Sequence, residues 1–201
     1  MDQLAEDSKY HLCRGGIKLS TRSYIARQIA ENQYQTIYCH SDGYLTYNGA
    51  LLVDHYNTEE MVEKLIALGN LSSLCEKIYP DPSKPHGFDY KIRQRGVTVA
   101  YGRDRGEKNQ EARVWTLEEL KNPYNFAVYV YIYGKGNKWQ YLKPCHPEEG
   151  IRDVDEALAK EYESYGIERP KGYYGYLDEE IADKFKSEQE ETIEQGQNMI
   201  L

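Results

Sequence analysis

Apolar and polar side chains alternate with a period of two between Tyr34 and His40, which is the pattern of a half-buried strand. The run from Thr21 to Ile29 precedes it, and the polar residues 31–33 between the two runs predict a hairpin. Turns are predicted next at Asp42-Gly43 and Asn48-Gly49, because Gly accepts the positive φ that many turns require. We expect this hairpin and its turns to form the centre of the domain.

The period changes to that of a helix after Asn57, which is predicted to cap the helix while Glu60 reaches back from its third position. Apolar residues then recur on one helical face, and Gly69-Asn70 ends the helix. That face consists of Met61, Val62, Leu65, Ile66 and Leu68. The prolines between Tyr79 and Gly87 remove backbone donors, so that segment is predicted to be an exposed loop.

Further strands are predicted at residues 96–101, 126–133 and 139–142, and residues 134–137 join the last two as a hairpin turn. A short helix at residues 116–121 begins with a Thr-x-x-Glu capping box. Together these elements predict an α+β fold. We expect an antiparallel sheet of about five strands with one or two packed helices.

The strand at residues 126–133 carries a tyrosine ladder, which consists of Tyr129, Tyr131 and Tyr133. These rings alternate with Val128, Val130 and Ile132, so one face of the strand is aromatic and the other is aliphatic. An aromatic face of this kind is either a binding surface or the floor beneath a packed helix. The pattern alone does not choose between the two.

The C-terminal quarter differs from the rest in both period and charge. Two helices are predicted there, one capped by Asp153 and ended by Gly166, the other from Asp178 to Gln195. Residues 148–201 hold 16 acidic and 6 basic residues, whereas the whole chain has a net charge of −8. We therefore divide the chain into an N-terminal arm (1–19), a core domain (20–147) and an acidic helical extension (148–201), and we expect residues 20–143 to fold without the extension.

The composition is that of an ordinary globular protein, with 40% apolar and 29% charged residues. It departs from the ordinary in having 20 Tyr and only 3 Phe, and Tyr is favoured where one side of a ring stays wet. No apolar run approaches the length of a membrane span. We expect a protein of the host-cell cytoplasm that makes no membrane contact.

Two groups of residues could carry chemistry. Arg103, Asp104 and Arg105 could hold a phosphate or carboxylate through paired guanidinium groups, or could form a solvated loop that neutralises itself. Cys39 could act as a nucleophile beside His40 and Asp42, with His55 or His146 as base. The alternative places Cys39 in the core, because adjacent strand residues face opposite ways.

Motifs with a known mechanism are not found in the sequence. There is no phosphate-binding loop, dinucleotide fingerprint, nucleophile elbow or H-E-x-x-H motif. The four Cys do not form a C-x-x-C pair, so we expect neither a zinc site nor a cofactor.

Five motifs resemble those of a family of small proteins found in phages and mobile elements of Firmicutes. They are Ser20–Ile25, Ile37–Tyr44, His55–Glu60, Ala67–Leu74 and Tyr101–Gly106. The resemblance covers about residues 20–143 and carries over no catalytic residue. It implies a genomic setting in which small non-enzymatic proteins, anti-CRISPR inhibitors among them, counter host defences.

The leading functional hypothesis is a counter-defence inhibitor that binds a host defence protein, such as a CRISPR effector, and meets nucleic acid only indirectly. Its binding residues would come from the tyrosine ladder, from Arg103, Asp104 and Arg105, and from four glutamates of the last helix. These glutamates are Glu188, Glu190, Glu191 and Glu194. The alternatives are a small Cys/His-dependent hydrolase or nucleotide-binding protein, and a structural phage accessory protein.

Overall fold

The computed structural model describes residues 20–134 and 136–198, and the side chains of these residues up to position 189. Its strands are β1 (Ser23–Ala30), β2 (Gln33–Cys39), β3 (Leu71–Ser73), β4 (Val99–Ala100), β5 (Arg113–Trp115), β6 (Tyr129–Gly134), β7 (Lys138–Leu142) and β8 (Arg152–Asp153). Its α-helices are α1 (Ala50–His55), α2 (Glu59–Ile66), α3 (Tyr101–Arg105), α4 (Leu117–Lys121), α5 (Val154–Ser164) and α6 (Glu179–Asn198). The predicted arm, residues 1–19, lies outside the described residues.

The protein is α+β, as predicted, but the sheet is larger than predicted and only partly antiparallel. The strands follow the order β4-β3-β2-β1-β6-β7-β8, and β5 pairs with β2 beside β3. The predicted hairpins β1–β2 and β6–β7 are both antiparallel, whereas β1 pairs with β6, and β2 with β3, in parallel. The prediction of five antiparallel strands was wrong because alternation reveals a strand but not the direction of its non-local neighbour.

The two faces of the sheet build separate hydrophobic clusters. On one face Ile25 pairs across the sheet with Ile37 and Tyr131, and these side chains are buried beneath helices α1, α2 and α5. On the other face Ala26 packs with Ile132 and with Leu120 of α4. Helix α4 packs on this second face through Leu117 and Leu120, whereas the part of the face that bears Tyr24, Thr36 and Tyr38 borders an open cleft.

The segment predicted as an acidic extension packs onto the same core. Strand β8 pairs with β7, and Val154, Leu158 and Tyr162 of α5 are buried in the cluster that contains Tyr131. Their spacing of four residues places them on one helical face, as the sequence predicts. Position 147 therefore cuts through one hydrophobic cluster, because the α5 side chains fill the space above the sheet.

Helix boundaries follow the predicted signals with small shifts. Thr58, and not the predicted Asn57, caps α2 by accepting a hydrogen bond from the Met61 amide. The capping box of α4 is formed between Thr116 and Glu119, as predicted. Asp153 caps α5, and its carboxylate accepts from the Glu156 amide at 3.1 Å.

The two turns predicted after β2 take other forms. Asp42, and not Gly43, has the positive φ of 55°. Gly43 is required for space instead, since an added Cβ would lie 2.8 Å from the Thr21 carbonyl oxygen. The predicted turn at Asn48-Gly49 is wrong, because Leu45–Gly49 forms a π-helical turn that continues into α1 and buries Asn48.

Candidate ligand-binding cleft

An open cleft of about 350 Å³ lies over β1, β2 and β5 on the uncovered part of the second sheet face. We call it the arginine–aromatic cleft. The side chains that give it its character are Arg22, Tyr24, Tyr38, Arg113, Trp115 and Phe126.

Strand register brings these residues together. Tyr24 of β1 lies directly opposite Tyr38 of β2, and Arg113 of β5 lies opposite Thr36 on the other edge of β2. Since side chains alternate across a strand, Trp115 emerges on the same face as Arg113. A hairpin and a third strand from a distant part of the chain thus supply one surface.

Hydrogen bonds hold the aromatic rings of the cleft in fixed orientations. The Tyr24 hydroxyl donates to the Asn125 carbonyl oxygen at 3.1 Å. The Tyr38 hydroxyl and His40 Nδ1 are 3.0 Å apart, and the other nitrogen of the same imidazole lies 3.0 Å from Ser20 Oγ. The Tyr24 ring centroid lies 5.7 Å from that of Tyr38 and 4.6 Å from that of Trp115. These contacts preorganise a set of aromatic surfaces.

The cleft is positive although the chain as a whole carries −8. Within residues 20–134 and 136–189 no carboxylate lines it, and neither Arg22 nor Arg113 forms an ion pair with a carboxylate of these residues. Burial raises the pKa of Tyr38 to about 12 despite the opposing effect of Arg22, and burial likewise raises the pKa of Tyr24 against Arg113. Both phenols are therefore neutral at physiological pH, and the two guanidinium groups remain as the charges of the site.

The predicted arginine group lies on the one-turn helix α3 and not on a loop. Arg103 binds the Asp104 carboxylate through Nε at 2.6 Å and Nη2 at 2.7 Å, and its Nη1 donates to the Ile78 carbonyl oxygen at 2.6 Å. Arg105 lies 3.0 Å from Glu107 and stacks over the Phe88 ring at 4.8 Å. Their donors are used within the protein, which is the arrangement of a self-neutralising segment.

Asp104 is the centre of this network. Burial opposes its ionisation, but Arg103 and the Ala100 amide together lower the pKa of Asp104. His86 Nε2 lies 3.6 Å from the carboxylate, and both side chains are almost fully buried. The network fastens the proline-rich loop to the core.

The tyrosine ladder is the floor beneath packed helices. Tyr131 is fully buried, and its hydroxyl donates to the Gly43 carbonyl oxygen at 2.9 Å. Tyr133 is also buried, while Tyr129 is half-buried and stacks on Tyr131 with a centroid separation of 6.0 Å. The structure thus corresponds to the second of the two interpretations of the ladder.

The acidic candidates lie on α6. Glu188 is exposed, and its carboxylate lies 3.9 Å from Lys184. The backbone of α6 includes Glu190, Glu191 and Glu194, whose side chains lie outside the described part of the chain.

The candidate reactive residues do not converge. Cys39 is fully buried on the helix-covered face, where the Asn48 amide lies 3.4 Å from its Sγ, and His40 points to the opposite face. His55 is hydrogen-bonded to the Tyr174 hydroxyl at 2.7 Å. Burial raises the pKa of Cys39 to about 11. A thiol in this state is a poor nucleophile at neutral pH.

Alkylation should show this directly. At pH 8 we expect iodoacetamide to modify Cys39 more than about 100-fold more slowly in the native protein than in urea, because a thiol with a pKa of about 11 is almost entirely protonated and is also shielded. The native rate should rise as the pH approaches 11. Peptide mass spectrometry over time measures the rate at this position. Equal alkylation rates in the native protein and in urea would show that the Cys39 thiol is accessible and reactive, and would support the hypothesis that it is a nucleophile.

A second polar cluster was not predicted from the sequence. His146, Glu148 and Glu149 bring their potential ligand atoms within 4.8 Å of one another. The Glu149 carboxylate is already paired with Lys143 at 3.4 Å and Arg152 at 3.2 Å. These contacts account for the cluster without an ion.

The arginine–aromatic cleft was also not predicted from the sequence. Its one accessible signal is the alternation that places Tyr24 and Tyr38 on the same face of the predicted hairpin. Arg113 and Trp115 join them through the pairing of β5 with β2, which no local pattern reveals.

Comparison of the chain with protein-family models, curated proteins and solved structures finds no match. Fold and site together define an α+β protein with an open, positively charged aromatic cleft. Among the described residues no helix has the length and apolar character needed to cross a bilayer.

Proposed function

We propose that this chain is a non-enzymatic binding protein of the counter-defence type, which inhibits a host enzyme that handles nucleic acid. The observation that carries the proposal is the docking of the acidic helix α6 on the core. Its Ala182 is fully buried, and Ile181 and Phe185 pack against the hydrophobic cluster. A charged tail whose only role is solubility needs no such anchor.

The described acidic side chains of the anchored helix are exposed. Glu179, Glu180 and Glu188 are exposed, and Glu190, Glu191 and Glu194 continue the helical segment. A helix rich in carboxylates is complementary to a basic groove that normally receives nucleic acid, and such complementarity steers association. The partner is therefore a host protein with a nucleic-acid channel, for example a CRISPR effector.

The dispersal of the reactive groups supports binding over catalysis. Cys39, His40 and His55 face three different environments, and burial keeps the thiol protonated. The hydrolase alternative lacks a nucleophile–base pair among the described residues.

Charge reversal on α6 tests the proposal. Changing Glu188, Glu190, Glu191 and Glu194 to Lys should abolish inhibition of DNA cleavage by the host CRISPR effector, because the helix would then repel a basic groove. Inhibition by the unchanged protein should weaken steeply with added salt, since exposed charges are screened beyond roughly 8–10 Å.

The matched control makes the same change of charge elsewhere. Glu31, Glu111, Glu118 and Glu163 are also exposed, and their replacement by Lys should leave inhibition nearly intact. Equal loss of inhibition in both variants would show that only the net charge of the protein matters, and would overturn the role of α6. The proposal also fails if the unchanged protein inhibits none of the host's nucleic-acid-handling defence enzymes.

A further inference from the structure

We propose that the arginine–aromatic cleft binds a free nucleotide, with the base against the aromatic rings and the phosphate held by Arg22 and Arg113. The cleft lies on the sheet face opposite the cluster that anchors α6. The inference is thus separate from the proposed inhibitory role of that helix.

The side chains of the cleft match both parts of a nucleotide. Planar bases stack on Tyr and Trp rings, and the tilted rings of Tyr24, Tyr38 and Trp115 offer such faces at one place. Guanidinium groups bind phosphate oxygens through paired, charge-assisted hydrogen bonds. Arg22 and Arg113 have these donors free of any carboxylate within the described residues, unlike Arg103 and Arg169, which are paired with Asp104 and Asp54.

The other polar groups of the cleft are already occupied by the fold. The Asn70 carboxamide oxygen accepts from the Tyr38 amide at 2.8 Å, and its nitrogen donates to Gln110 at 3.0 Å. The Asn125 amide nitrogen donates to the Leu120 carbonyl oxygen at 3.1 Å. These groups shape the walls, so the two guanidinium groups and the rings are what remains for a ligand.

Charge and size favour a free nucleotide over a nucleic-acid strand. The cleft has about 350 Å³, at the lower end of the range for small-molecule sites. A strand needs a row of cations along its backbone, whereas the described residues that line this cleft include two, Arg22 and Arg113.

Tryptophan fluorescence is a suitable measurement, because the chain has only two Trp. Trp115 borders the cleft, whereas Trp139 is buried and its indole nitrogen donates to the Tyr56 carbonyl oxygen at 2.7 Å. Titration of the full chain with AMP, GMP, CMP and UMP should quench the Trp115 emission with a Kd below about 1 mM for at least one of them. Adenosine, which lacks the phosphate, should bind about tenfold or more weakly than AMP.

The double variant Arg22→Gln and Arg113→Gln should weaken nucleotide binding about tenfold or more, and its melting temperature should not change because neither side chain forms an ion pair with another described residue. The matched control removes two exposed arginines outside the cleft, Arg95→Gln and Arg152→Gln, and should bind as the unchanged protein does. The α6 charge-reversal variant should also retain nucleotide binding, which separates this site from the proposed inhibition.

Three results would overturn the proposal. The first is that none of the four nucleotides quenches the emission up to about 1 mM. The second is that the cleft and control arginine variants bind equally, which would place any binding elsewhere. The third is that a ten-residue oligo(dT) binds more tightly than every mononucleotide and loses affinity with salt, which would make the cleft part of a strand-binding surface.

Discussion

Deletion of residues 148–201 is expected to unfold the protein. The deletion removes the large buried side chains of Val154, Leu158, Tyr162, Ile167 and Leu177 from the main hydrophobic cluster. Each such side chain contributes about 1.5–3 kcal/mol when buried, and a whole domain is stable by only about 5–15 kcal/mol. Circular dichroism of the fragment 20–147 should lack a cooperative thermal transition.

Single substitutions within α5 test the same contribution to stability one side chain at a time. Leu158→Ala should lower the free energy of unfolding by about 2–5 kcal/mol, because the side chain is almost fully buried against the sheet. Lys160→Ala, on the exposed face of the same helix, should change it by less than about 0.5 kcal/mol. A fragment 20–147 that melts cooperatively at the temperature of the full chain would restore the division into core and extension.

This boundary shows how composition and packing can differ. The residues after position 147 are strongly acidic, and the described side chains of Glu156, Glu163, Glu179 and Glu180 on α5 and α6 are exposed. The inner face of α5 carries the buried side chains of Val154, Leu158 and Tyr162, and their spacing is visible in the sequence. The net charge reflects the residues that face solvent, whereas the apolar stripe identifies the residues that pack into the core.

Local signals located most of the elements correctly. Alternation located β1, β2, β6 and β7, and the capping residues located the starts of α4 and α5. These signals act within a few residues of one another, so a single sequence contains them in full. The partners of β5 and the parallel pairing of β6 with β1 depend on contacts between distant segments, and no local pattern specifies them.

The candidate cleft was missed for the same reason. Tyr is equally suited to a buried floor and to a wet surface, so the ladder of β6 and the pair Tyr24–Tyr38 look alike in the sequence. The structure separates them: Tyr131 is fully buried beneath helices, whereas Tyr24 and Tyr38 keep an exposed side. The difference arises from which part of the sheet α4 and α5 cover, which is a property of the assembled fold.

The last prediction compares two glycines with nearly the same backbone conformation. Gly69 follows α2 with φ +73°, and Gly106 follows α3 with φ +74°. An Ala at either position is strained by about 1–2 kcal/mol, because a Cβ is disfavoured in the left-handed region. The two sites differ only in the space around the added methyl group.

At Gly69 the added Cβ would lie 2.1 Å from the Gln110 carbonyl oxygen, whereas at Gly106 nothing lies within 4 Å. Gln110 cannot simply move away, because its carbonyl oxygen accepts from the Asn70 amide at 2.7 Å. We therefore expect Gly69→Ala to lower the free energy of unfolding by at least about 3 kcal/mol and Gly106→Ala by only about 1 kcal/mol, as measured by urea denaturation.

Gly69→Ala should also alter the cleft, because the adjacent residue Asn70 lines it and accepts a hydrogen bond from the Tyr38 amide. A shift of the backbone at Gly69 would displace that wall, so folded Gly69→Ala protein should bind nucleotide more weakly than folded Gly106→Ala protein. Equal losses of stability in the two variants would show that the backbone at Gln110 yields without cost, and that the left-handed conformation alone sets the requirement for glycine.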